Sequence, residues 1–164
     1  MDVRGLLRPG MRVYLIPLAA GVALAISTFL PWVVVGGVPS GGLPDIAALW
    51  VLSLGALSVL LATLSLITRK NSRHPLLVVG LAALGITYLS FRIMPRLAGE
   101  HALTVSQALA IVENRPVGSP PPAVVGAGLY LGLVASAVIV AFGLTIVIKR
   151  ASTPYVVVDP DDDV

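Results

Sequence analysis

Ile46–Thr68 reads IAALWVLSLGALSVLLATLSLIT, 23 residues without one charged side chain. At about 1.5 Å of rise per residue a helix of this length reaches about 34 Å, enough for the roughly 30 Å hydrocarbon core of a bilayer. Inside hydrocarbon every N–H and C=O must be bonded within the protein, so a helix is the form such a stretch takes. Three further runs free of charge flank it, at 13–37, 75–91 and 116–148. The third run reaches spanning length by using Arg92 and Ile93 as an interfacial end. The fourth starts through Pro120, Pro121 and Pro122, which read as polyproline rather than helix. The sequence therefore predicts an all-α integral membrane protein, a bundle of four transmembrane helices over 13–36, 46–68, 75–94 and 123–148. Residues 1–150 form a single domain on this reading.

Composition supports lipid as the solvent. Hydrophobic residues make up 57% of the 164 and charged residues 12%, against roughly a quarter charged in an average soluble domain. The net charge of +3 does not point to nucleic acid, because the cations cluster beside apolar runs. With no cysteine, disulfides, thiolate metal sites and cysteine nucleophiles are excluded.

Lys and Arg set the expected orientation. Arg4, Arg8 and Arg12 precede the first span, Arg69, Lys70 and Arg73 lie between the second and third, and Lys149 and Arg150 close the fourth. Only Arg92, Arg96 and Arg115 fall on the other side. The positive-inside rule then places both termini in the cytoplasm, in a bacterial cytoplasmic (inner) membrane. A cleaved signal peptide fits less well, since its apolar region is typically about 7–15 residues.

The first outer loop, Gly36 to Pro44, reads as a Gly/Pro turn ending in Asp45, the expected N-cap of the second helix. Pro75 is expected at the first position of the third. The second outer loop, 95–122, carries Val105, Ala108, Leu109 and Val112 at helical spacing, and Thr104 with Gln107 has the form of a capping box. This predicts a short amphipathic surface helix over 105–113. The tail, 151–164, reads as a flexible acidic cytoplasmic segment in which Tyr155, Val156, Val157 and Val158 are a candidate docking strand.

The spans hold no charged side chain of the kind that marks an ion path. Their hydroxyls lack a His or carboxylate partner at membrane depth, so no nucleophile–base pair is expected. His74 and His101 fall on opposite sides of the membrane and cannot share a metal. Trp32, Trp50, Tyr88 and Arg92 read as interfacial anchors. Arg92 has Glu100, Glu113 and Asp45 as candidate ion partners. Phe29-Leu30-Pro31-Trp32 resembles a stretch of small bacterial proteins described as tryptophan-associated transmembrane proteins, a likeness of four residues that implies no chemistry.

Small residues are the sharper signal. Gly126, Gly128, Gly132 and Ser136 thin one face of the fourth span, Gly21 and Ala25 of the first, and Gly80 and Gly85 of the third. Such faces let backbones approach, within the bundle or against a membrane-protein partner or second copy. No cofactor is predicted, although lipid, quinone or pigment can bind apolar faces that carry no signature. Together these features predict a non-catalytic structural or accessory subunit of a larger membrane complex. A small oligomeric transporter or channel and a membrane enzyme acting on lipids are the alternatives.

Overall fold

A computed structural model describes residues 12–68, 73–114, 116, 119 and 121–151. After a single 3₁₀ turn at Arg12–Tyr14 the elements run α1 (Leu15–Ser27), β1 (Val33–Val35), β2 (Val38–Ser40), α2 (Ile46–Thr68), α3 (Arg73–Val112), β3 (Ala123–Val125) and α4 (Ala127–Ala151). The helices pack in a ring, α1 against α2 and α4, α3 against α2 and α4. The strands form one antiparallel sheet in the order β2-β1-β3 at one end of the bundle.

The helices are apolar on both sides, but not alike. On α2 the buried positions are Ala48, Val51, Gly55, Ser58, Ala62 and Ser65, a spacing of three and four that keeps one seam facing inward. Leu57, Leu60, Leu64 and Ile67 point outward. Small residues inside and large apolar residues outside is the arrangement expected where helices associate by close packing and the surroundings are lipid. Three helices are long and apolar enough to cross a membrane, at Ile46–Thr68, Arg73–Val112 and Ala127–Thr145. Leu24, Val51, Leu76, Leu129 and Ile139 fill the centre, and Tyr14 and Phe142 meet edge to face at 5.2 Å near the end opposite the sheet.

Several expected boundaries need correction. The helix expected over 13–36 stops at Ser27, and its 13 residues rise only about 20 Å. Thr28 and Phe29 close a final turn onto Ala25 and Ile26, Pro31 bars further helix, and the β-branched run Val33-Val34-Val35 becomes the central strand. Gly36 and Gly37 have φ of +56° and +86°, the pair of positive angles that a type I′ hairpin turn needs. The third helix does not end before Pro95. It continues through it to Val112, 40 residues in all, so the surface helix expected over 105–113 is the last part of α3. Thr104 accordingly is no cap, and its hydroxyl donates to the Glu100 carbonyl within the helix. Pro75 lies in the first turn, where a missing N–H costs nothing. Residues 123–125, expected to begin the fourth helix, are β3.

Asp45 caps α2 through its carboxylate, which accepts the Ala47 N–H at 2.8 Å. Tyr155 to Val158 lie outside the described residues.

Candidate functional site

Two helix ends meet at the sheet, and the Pro31-Trp32 segment supplies partners to both. The last carbonyls of α1 and the first N–H groups of α4 have no partner within their own helices. The Trp32 indole N–H donates to the Ser27 carbonyl at 3.0 Å. The Gly126 and Gly128 N–H groups donate to the Trp32 and Pro31 carbonyls at 2.7 and 3.0 Å. Antiparallel pairing of Val33 with Val125, Val34 with Val124 and Val35 with Ala123 extends the same junction. Trp32 is fully buried. The exposed interfacial ring expected at this position is therefore replaced by a ring enclosed in protein, which caps a helix.

The small residues divide into those that make contacts and one that does not. A Cβ on Gly126 would overlap the Pro31 carbonyl, and one on Gly128 would lie 2.6 Å from Trp32 Cδ1 and 2.7 Å from the Ser27 oxygen. Gly132 faces Ser27 and Thr87 at 3.2 Å, and Gly80 faces Ile139 and Val140 at 2.9 and 3.0 Å. Gly21 packs on Ser58 and Val59 of α2, and Ala25 is met by Gly55. Gly55, and Gly143 against Leu77, belong to this set although the sequence reading passed over them. Gly85 has nothing within 4 Å and is exposed.

Most polar side chains in the bundle are committed to backbone, with Ser90 the buried exception among the described residues. Ser27, Thr28, Ser65, Thr87 and Ser136 donate to carbonyls of their own helices at 2.6 to 3.0 Å. Ser58 reaches across to the Pro17 carbonyl at 3.5 Å. His74 and His101 both lie on α3, about 40 Å apart along it.

Beyond Pro95, α3 presents two unlike sides. Gly99, Ala102, Leu103, Ser106 and Ala110 turn toward the protein. Gly99 lies against Ala123 of β3. On the other side Leu97, Val105, Leu109 and Val112 are exposed, with Ile111 at the margin. Exposure reaches 80% at Ile111 and 82% at Val112. Arg96 pairs with Glu100 at 2.9 Å, one turn on. Arg92, read as an interfacial anchor with Glu100, Glu113 and Asp45 as candidate partners, is exposed and makes no ion pair among the described residues; Trp50 and Tyr88 are exposed too. This exposed face of α3, held on the sheet and the clasped helix ends, is the candidate site.

The chain matches no family model, no curated protein and no solved structure.

Proposed function

We propose that the protein is a non-catalytic accessory subunit of a larger membrane protein assembly, docking its partner through the apolar side of α3 beyond Pro95. The observation that carries this reading is the exposure of Leu97, Val105, Leu109, Ile111 and Val112 along one helix. A helix of 40 residues measures about 60 Å, of which about 30 Å serves a crossing. The rest stands clear of the acyl chains, where a stripe of exposed apolar side chains, interrupted by His101, marks an interaction surface. Its cover is then protein, a helix or sheet of a partner anchored in the same membrane.

The membrane setting is part of the proposal. The 3₁₀ turn and α1 together rise about 26 Å, so with modest thinning of the bilayer α1 is a fourth crossing. The sheet and the far half of α3 then lie outside a bacterial cytoplasmic membrane, with both termini inside it. Transport and lipid chemistry gain less support, because most hydroxyls in the bundle are bonded to carbonyls and the crossing stretches hold no charge.

The full-length chain, extracted from its native membrane in mild detergent, tests the proposal on a native gel. Wild type is expected in a complex with a second, different polypeptide. Leu109→Asp and Val112→Asp are expected to release it while melting within about 0.5 kcal/mol of wild type, as exposed positions do. A complex made only of this chain, or one indifferent to both substitutions, overturns the proposal.

A further inference from the structure

We propose that Arg92 and Arg96 form a binding site for the phosphate of an anionic phospholipid. The site rests on α3 crossing a bilayer, and it shares Leu97 but neither arginine with the docking surface beyond it. Counting from Arg73, Arg92 lies about 28 Å along α3, near the far edge of a hydrocarbon core of about 30 Å. Arg96, one turn further, lies about 6 Å higher, within the headgroup layer. Positions four apart share a helix face, so the two guanidinium groups bracket the depth at which lipid phosphates sit.

The groove there holds about 490 Å³ and is lined by Arg92, Ile93, Arg96, Leu97 and Glu100. Its charge favours an anion. Glu100 takes the Arg96 Nε at 2.9 Å and holds that guanidinium in place, while Arg92 makes no ion pair among the described residues. Two cations against one carboxylate leave a net charge of +1, which a single phosphodiester matches. Arginine suits this task because its planar donors engage two phosphate oxygens at once. Beside the arginine row Leu89 and Ile93 are exposed, four apart and below the depth of the phosphate, placed to guide an acyl chain downward. A headgroup above and a chain below describe a whole phospholipid rather than a free anion.

Native mass spectrometry of the full-length chain in a non-ionic detergent tests the site, with phosphatidylglycerol and phosphatidylcholine added separately. Phosphatidylglycerol is expected to bind about tenfold more tightly, because both lipids offer the same phosphate oxygens but only phosphatidylcholine carries a cation that the two guanidinium groups repel. Arg92→Gln with Arg96→Gln is expected to abolish that preference at unchanged helicity, since both side chains are exposed. Arg92→Lys, which keeps the charge and loses the planar fork, is expected to retain an intermediate preference. Equal binding of the two lipids by wild type, or an unchanged preference in the double variant, overturns the proposal. So does displacement of phosphatidylglycerol by equimolar inorganic phosphate, which would make the ligand a free anion.

Discussion

Gly128 and Gly85 look alike in the sequence, each a small residue thinning the face of an apolar helix. Their neighbours differ entirely. A methyl at position 128 would press on the Trp32 ring and the Ser27 carbonyl, both held by the clasp between α1 and α4. Neither can move without breaking a hydrogen bond, so Gly128→Ala is expected to destabilise by about 1–3 kcal/mol, the usual cost of overpacking. At position 85 a methyl meets open space, and Gly85→Ala is expected to stabilise by up to about 1 kcal/mol through helix propensity alone. Reversible unfolding of both variants in one detergent measures the difference. Equal effects at the two sites would dissolve the distinction. Which glycines matter was thus half legible: their abundance on the helices was visible, whereas their contacts depend on how each helix is rotated. Gly55 had a readable signal, since it sits in the inward seam of Ala48, Val51, Ser58 and Ala62, but only once that seam is known to face inward. Trp32 was less legible still, because its burial depends on Gly126 and Gly128, at the far end of the chain.

At the level of elements, α2 was the plainest reading, since an uncharged apolar stretch of its length has one stable form in hydrocarbon. The sheet was the hardest. Val33-Val34-Val35-Gly36-Gly37-Val38 carries a hairpin signature, two glycines between β-branched residues, yet the same valines extend an apolar run that reads as a long helix. Pro31 decides between them by stopping α1. β3 has no local signature of its own, and a strand of three residues gains its stability from a partner that the sequence places elsewhere. The run of α3 through Pro95 was concealed for the opposite reason, since proline argues for a break wherever tertiary packing is unknown. Pairing of β1 with β3 has a direct check. Directly opposed residues of antiparallel strands have Cα atoms about 4.5–5.5 Å apart, within disulfide range, and Val34 opposes Val124. Because the chain has no cysteine, Val34→Cys with Val124→Cys is expected to form one intramolecular disulfide under mild oxidation. Cleavage in the loop between α2 and α3 would then leave the two halves joined until reduced. Halves that separate without reductant would remove β3 from the sheet.

For the molecule as a whole, the open choice is between three crossings and four, and it turns on α1. Three helices have the length and apolarity to cross unaided; α1, at 13 residues, does not. Its packing nonetheless ties it to the bundle at the level of its neighbours. Gly21 and Ala25 meet Ser58 and Gly55 midway along α2, and Tyr14 contacts Phe142 in the half of α4 farther from the sheet. A helix that starts beside the far part of α4 and ends beside its first turn runs alongside the apolar length of that helix. Lying flat on one surface would expose Leu24 and separate these contacts, losing about 2 kcal/mol for each large buried side chain. The two readings place the N-terminus on opposite sides. With four crossings it shares a side with the loop between α2 and α3, and the sheet lies opposite; with three it joins the sheet. Single cysteines at Asp2, Ser40, Ser72 and Glu113, labelled in right-side-out vesicles with a membrane-impermeant maleimide, separate them. Labelling at Ser40→Cys and Glu113→Cys is expected without permeabilisation, and at Asp2→Cys and Ser72→Cys only after it. Asp2→Cys labelled together with Ser40→Cys would leave α1 short of a crossing and place the cluster of Arg4, Arg8 and Arg12 on the sheet side, against the charge rule that the other loops obey.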